Sequence, residues 1–358
     1  MKKIKPIAFY LPQFYPTPEN DEWWGKGFTE WTNVAKAKPL FPGHNQPRIP
    51  SDLGFYDLRI PSVREEQAKM ANDAGIGGFC YWHYWFAGRR MLSEVFTEVV
   101  QTGHPDFPFC LCWANHSWHK KGWSPDVEDL MLIEQTYPGE DDYVAHFNAM
   151  LPAFKDDRYI RYNGKLLFGV YEPTWIPDTE LFFNTWNRLA QENGLSGFHF
   201  FGFVQGRSKL KDCLDKHYDS VVYDCLMDVY SDRPGEKRTD LLKARLKRKL
   251  FKYPLTVGYD MYADYAESFY SNHDNLIPCI DPDFDHSPRS GANWLIVHGS
   301  TPEKWGRLYR NLCNTLASRN DELLFIKSWN EWGEGNYLEP DIKWGKQYLD
   351  EMTENSDK

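Results

Sequence analysis

A chain of 358 residues with a net charge of −10 can bury a barrel-sized core, and its acidic balance excludes nucleic acid as a main partner. Aromatic residues make up 16% of it, with fifteen tryptophans and twenty-one tyrosines. Many stand beside polar residues (Trp82-His83-Tyr84-Trp85, Trp113-Ala114-Asn115), where they would line a pocket. Sugar rings stack their apolar C–H faces on such surfaces, so carbohydrate is the expected ligand class; a heavily aromatic core is the alternative.

No run approaches the roughly 20 apolar residues of a membrane span, and Met1-Lys2-Lys3-Ile4-Lys5-Pro6 lacks a signal peptide's apolar length. Seven cysteines form no disulfide framework, which points to a reducing, cytoplasmic setting.

In chain order, 7–11 reads as a buried strand. A long aromatic loop follows to about residue 61, and then a helix over 62–74, with Ser62 as cap and Glu65 completing a capping box. Strands follow at 77–82, 108–113, 165–171, 198–203, 220–223, 276–280 and 323–326. Helices fit 91–101, 143–154, 178–193 (stopped by Gly194), 302–318 and the tail. The basic run 243–250 alternates with leucines and reads as an amphipathic helix, either solvated or touching an anionic surface. Eight buried runs alternating with helices predict an α/β fold, a single (β/α)₈ TIM barrel with long βα loops, over 1–358 as one domain. A doubly wound open sheet would show a Gly-rich phosphate turn, which Tyr10-Leu11-Pro12-Gln13-Phe14 lacks.

Such barrels place their sites at the C-terminal strand ends. The candidates there are Tyr10 and Gln13 after the first strand, and His83, Tyr84 and Trp85 after the second. Trp113 and Asn115 follow the third, Tyr171 and Glu172 the fourth, and Asp224 the sixth. Asp281, Asp283 and Arg289 follow the seventh. Glu30 and Trp31 come from the first loop, and Trp329, Asn330, Glu331, Trp332 and Glu334 from the last strand. Each has a structural alternative: His83 a core histidine, Asn115 and Glu172 turn residues, Glu30 a loop charge. The central pair is Glu331 and Glu334, two carboxylates among tryptophans and equipped for acid/base cleavage of a glycosidic bond. In an extended strand they would point to opposite faces. A turn eased by Gly333 and Gly335 would bring them together.

No cofactor or metal is expected. His116-Ser117-Trp118-His119 lacks a third ligand, and Asp281-Pro282-Asp283-Phe284-Asp285 has His286 and Ala292 at the sixth and twelfth positions of a calcium loop. Asp281-Pro282-Asp283 keeps a metal–nucleotide-sugar reading open, while serine hydrolase chemistry has no Gly-x-Ser-x-Gly anchor.

Trp329-Asn330-Glu331-Trp332-Gly333-Glu334-Gly335 with Glu339-Pro340 resembles the endo-α-mannosidase-like family, glycoside hydrolase family ninety-nine. Together with Ala8-Phe9-Tyr10-Leu11-Pro12-Gln13-Phe14, Gly27-Phe28-Thr29-Glu30-Trp31, Gly78 to Phe86, Trp113-Ala114-Asn115 and Asp285-His286-Ser287-Pro288-Arg289, it more closely resembles the WbsX-type proteins of bacterial polysaccharide clusters. The resemblance implies a (β/α)₈ barrel without metal and retaining cleavage in which the substrate's 2-hydroxyl acts as internal nucleophile. On that analogy Glu331 deprotonates this hydroxyl, and Glu334, desolvated and protonated, protonates the leaving oxygen. The related mannosidases carry histidine where this chain has Gly333, so sugar and linkage are not carried over. The expected function is a retaining glycoside hydrolase. A glycosyltransferase of surface-polysaccharide synthesis and a non-catalytic carbohydrate-binding barrel are the alternatives, and oligomeric state is left open.

Overall fold

The computed structural model describes residues 4–120, 129–234, 246, 248–250 and 252–353. Eight strands form its centre: β1 Lys5–Tyr10, β2 Gly78–Phe86, β3 Phe109–Trp113, β4 Lys165–Val170, β5 Phe198–Gln205, β6 Ser220–Asp224, β7 Ile277–Ile280 and β8 Leu323–Ile326. Each pairs in parallel with the next, and β8 pairs with β1, so the sheet closes. This is the expected TIM barrel. Its strands are mainly apolar between their ends, with polar residues such as Lys5, Lys165 and Ser220 opening them and Gln205 and Asp224 closing them, because helices cover the outside and side chains fill the inside. The filling is aromatic: the Phe9 ring lies 4.6 Å from Trp82, 5.2 Å from Phe203 and 5.4 Å from Phe325.

The surrounding helices are α1 Pro61–Asp73, α2 Glu94–Thr102, α3 Glu140–Phe154, α4 Thr179–Glu192, α5 Leu210–Leu214, α6 Tyr259–Asn272, α7 Pro302–Ser318 and α8 Gln347–Thr353. The expected Ser62 capping box is not formed. α1 begins one residue earlier, on Pro61, whose fixed φ and missing N–H suit a first helical position. α3 begins at Glu140 rather than 143, because Glu140, Asp141 and Asp142 favour the positive end of the helix dipole without adding apolar periodicity. The long first loop carries two short helices of its own, Pro18–Trp24 and Glu30–Lys36. The basic run 243–250 falls largely outside the described residues. No described helix is long and apolar enough to cross a membrane.

Two features outside the barrel position the site. The loop after β7 is tied to an outer strand, Leu295–His298, by a 2.7 Å bond from Val297 N to Phe284 O. After β8, Asn330–Glu331 pairs antiparallel with Asn336–Tyr337 around a tight turn.

Candidate active site

The turn resolves the geometry of the two glutamates. Trp332–Glu334 forms a single 3₁₀ turn, and Gly335 leaves it at φ 58°. A 3₁₀ helix has three residues per turn, so positions i and i+3 come onto one side. Gly335 is required twice: its φ is left-handed, and an added Cβ would lie 2.8 Å from Asp285 Cβ. The turn is anchored from behind. Asn330 accepts from Leu11 N (2.8 Å) and donates to Leu11 O (3.0 Å), which ties it to the end of β1. Trp332 stacks on Tyr337 at 3.7 Å and donates to Glu339 at 2.6 Å, and Glu339 also accepts from Tyr56 (2.8 Å) and Gln67 (2.6 Å).

On the open side, Arg289 joins three carboxylates. Its Nη2 donates to Glu331 Oε1 at 2.8 Å, its Nη1 to Glu334 Oε1 at 2.8 Å, and its Nε to Glu30 Oε2 at 3.2 Å. Gly333 makes this possible, since a Cβ there would sit 2.6 Å from Glu30 Oε2 and 2.8 Å from Arg289 Nε. Lys327 Nζ stands 3.7 Å from Glu334 and 3.9 Å from Asp224, and His286 Nε2 lies 3.9 Å from Glu334.

The two glutamates are therefore unequal. The Glu331 side chain is 8% exposed and Glu334 20%. Burial pushes the Glu331 carboxyl up and the Glu334 and Glu30 charges add to this, outweighing Arg289 and Lys327. Burial also raises Glu334, but Lys327, Arg289 and His286 together offset it and bring the carboxyl well below the usual range. Three carboxylates around one guanidinium, with Lys327 within 4 Å of only one of them, favour a proton on Glu331 over Glu334. The resemblance, by contrast, places it on Glu334.

Tyr84 and Tyr171 border the pair. Burial raises the Tyr84 phenol, with the Glu331 charge next; burial raises Tyr171, with Lys327 lowering it and Glu334 raising it. Tyr171 also donates to Gln205 at 3.2 Å.

Other candidates are drawn elsewhere. Tyr10 is buried and donates to Gln67 at 2.7 Å, away from the glutamates. His83 is bonded to His146 at 2.7 Å, and Trp85 stacks on His146 and donates to Asp142. Trp113 is fully buried and donates to Trp85 O. Asn115 holds the backbone of Glu172, accepting from its N at 2.8 Å and donating to its O at 3.0 Å. Trp31 donates to Tyr56 O and packs on Trp332, and Trp329 is fully buried against Phe79. Glu172 pairs with Lys209 at 2.7 Å, and Asp283 with Arg48 at 2.9 Å. Asp224, in contrast, stays beside the site: fully buried, it accepts from Gln205 at 3.0 Å and lies 3.9 Å from Lys327 Nζ. Gln13 is half-buried and is not a partner of Arg289. Lys327 and His286 were not singled out as site residues. The signal for Lys327 was available: a charge directly after the buried run Leu323–Ile326 must end inside the barrel mouth. Among the described residues, no group of three or more His, Cys, Asp or Glu could hold a metal ion.

The chain matches the family model described as "Glycosyltransferase WbsX" over residues 6–352. Two relatives from Xanthomonas campestris pv. campestris, both called "Uncharacterized protein WxcX", are 36% identical over 349 residues. The match covers 96% of this chain and 48% of theirs, so the chain spans about half the length of these relatives. Among solved structures, a "Glycoside hydrolase-like protein" superposes with a TM-score of 0.60 at 16% identity, covering 99% of this chain and 94% of that one. The "GH99 endo-alpha-mannosidase from Bacteroides thetaiotaomicron" superposes with a TM-score of 0.56 at 16% identity, covering 98% and 96%. At these identities the two structures bear on the fold alone. The family match spans nearly the whole barrel, and the chain belongs to the WbsX family.

Proposed function

We propose that this chain is a retaining carbohydrate-active enzyme that cleaves a glycosidic bond with Glu331 and Glu334. The observation that carries the reading is Arg289, which binds one oxygen of each glutamate at 2.8 Å through neighbouring nitrogens. Carboxyls gathered on one guanidinium fork fit the close spacing of about 5–5.5 Å used by retaining enzymes better than the 6.5–9.5 Å that admits a water between them.

The pair shares one proton, and the reaction needs one acid and one base. The acid protonates the leaving oxygen as the C–O bond breaks. Its ionised partner then either attacks the anomeric carbon or deprotonates the 2-hydroxyl so that this oxygen attacks. In the second half the former acid, now ionised, removes a proton from water. The charge pattern around the pair favours Glu331 as acid, whereas the resemblance assigns that role to Glu334. That assignment requires the substrate to separate Glu334 from Lys327.

Glycosyltransfer is the second reading, favoured by the family model's description. The same two carboxylates would transfer to a sugar hydroxyl in place of water. The nucleotide-sugar version draws less support: Asp281 bonds Asn336 (2.6 Å) and Tyr262 (3.0 Å), while Asp283 bonds Arg48, so the two do not converge.

The test is turnover of defined oligosaccharides and glycosyl fluorides by Glu331→Gln and Glu334→Gln, with the product anomer read by NMR. Both variants should lose at least about a hundredfold on oligosaccharides. On fluorides, which need little acid assistance, only the variant at the acid should recover. Full activity in both variants sinks the reading, and product formed only from nucleotide sugars selects the second one.

A further inference from the structure

A cavity lies behind the turn that carries the two glutamates, and nothing in the two-carboxylate chemistry uses it. It has a volume of about 130 Å³ and is lined by Phe41, Arg48, Asp283, His298, Trp344 and Tyr348 among others. One water needs roughly 10–15 Å³ on this measure, so the space is far larger than a hydration site. Trp344, Tyr348 and Phe41 are half-buried; Lys343 Nζ lies 4.6 Å over the Trp344 ring and His44 stacks on Phe41 at 4.5 Å, so these two rings have only their other face to offer a ligand. Polar groups share the lining about equally with these rings, as suits a ligand rich in hydroxyls. Asp283 keeps 17% of its side chain exposed while paired to Arg48, His298 is exposed at the rim, and Tyr348 shares a 2.8 Å hydrogen bond with Ser300.

Arg48 makes the cavity more than a surface dent. Its side chain is only 8% exposed, and its Nε has no hydrogen-bond partner. Its Nη1 donates to Gly335 O at 2.8 Å as well as pairing with Asp283. The neighbouring Asp285 donates its backbone N to Glu334 O at 2.6 Å. The cavity and this turn therefore share one wall, with Arg48 and Asp285 facing the turn and Asp283 facing the cavity. The charges of the lining are already engaged: Arg48 pairs with Asp283, Asp341 accepts from Tyr337 (2.7 Å) and Trp344 N (2.7 Å), Glu339 is taken by Tyr56, Gln67 and Trp332, and Lys343 is exposed. Charges of both signs with partners of their own favour an uncharged occupant. Aromatic walls with a carboxylate and hydroxyl partners suit a neutral sugar ring.

We infer that this cavity binds one neutral pyranose unit, a site separate from Glu331 and Glu334. The unit comes either from the glycan whose bond is cleaved or from a free sugar, and both present the same ring chemistry. The inference does not need the catalytic reading to be right, because its first readout is binding.

The experiment is saturation-transfer NMR of the full chain with millimolar glucose, galactose, mannose, N-acetylglucosamine, rhamnose and fucose. Thermal unfolding checks the fold of each variant. At least one sugar should give a signal that persists in the Glu331→Gln/Glu334→Gln double variant and falls at least about fivefold in Trp344→Ala and in His298→Ala. A KM raised by Trp344→Ala on long but not short oligosaccharides identifies a unit of the substrate. Turnover altered by added monosaccharide in the parent protein but not in Trp344→Ala identifies a free sugar. The inference is overturned if no sugar of the panel gives a signal, if the signal survives both cavity variants, or if it disappears with the glutamates alone.

Discussion

Gly333→Ala is the smallest change that reaches the centre of the site. The added Cβ would approach Glu30 Oε2 to 2.6 Å and Arg289 Nε to 2.8 Å, closer than the 3.4 Å at which ordinary contact begins by about 0.8 and 0.6 Å. Glu30 ends a side chain at the start of the short helix Glu30–Lys36 and can retreat. Arg289 is held on three sides and cannot move without pulling on Glu331 and Glu334. Overpacking of this size costs about 1–3 kcal/mol of stability. A displacement approaching 1 Å at reacting groups costs up to about a hundredfold in rate. The expected outcome is a folded protein with kcat lowered about 30- to 100-fold and KM changed less. Glu30→Ala removes the nearest clashing atom, so in the Gly333→Ala/Glu30→Ala double variant the alanine at 333 should cost clearly less than it does alone. Steady-state kinetics on the cleaved oligosaccharide and urea unfolding of all four proteins give both cycles. Activity within twofold of the parent in Gly333→Ala, with additive effects in the double variant, refutes the claim that Gly333 sets the position of Arg289.

The remaining expectations concern protons and buried donors. The glutamate pair titrates as a unit, and the upper step lies at about 8, on Glu331. If chemistry needs that proton, kcat/KM should be flat through neutrality and fall as pH rises through about 8. The fall should be absent from residual fluoride turnover in Glu331→Gln. His83, buried against His146, has its pKa pushed down to about 3 by burial and then by Arg90. Between about pH 3 and its ordinary 6.5 the unfolded chain binds more protons, so stability is complete above 6.5 and falls with acid, on the order of 4 kcal/mol from this group. Urea midpoints from pH 7 to 4 should show the slope, and His83→Gln should make it shallower without abolishing it, because burial also pushes His146 well below its ordinary value. Glu339→Gln places an amide N–H against donors from Trp332, Tyr56 and Gln67, and should cost about 2–3 kcal/mol in urea unfolding.

The barrel was legible because its strands are covered on both faces. Runs such as Phe109–Trp113 and Leu323–Ile326 are apolar throughout and stand out at any register. Helix starts were less legible where the cue was not an apolar one: Pro61 outranked Ser62, and three acids opened α3 before its first buried ring. Aromatic residues beside polar ones were the least reliable signal. Trp113, Trp329 and Trp332 pack inward, and their polar neighbours Asn115 and Asn330 spend their hydrogen-bonding groups on backbone. Composition cannot separate a sugar platform from an anchored strand end, because both put a ring next to an amide.

The site itself was legible only as a set of parts. The spacing of Glu331 and Glu334 required a turn, and the glycines around them allowed one; that much is local. What makes the two carboxyls chemically different is not local. Glu30 comes from the first loop, Arg289 from the loop after β7, and Lys327 from the end of β8. Take Arg289 away and, among the described residues, Lys327 is left within 4 Å of Glu334 while Glu30 and Glu331 lose their ion-pair partner, which favours proton uptake by the group. Take Lys327 away and Glu334 loses the charge that does most to favour its ionised form, which leaves its greater exposure and His286 to set it apart from Glu331. The asymmetry a two-carboxylate mechanism depends on is therefore a property of the closed barrel, which brings three loop ends within a few ångströms of one turn.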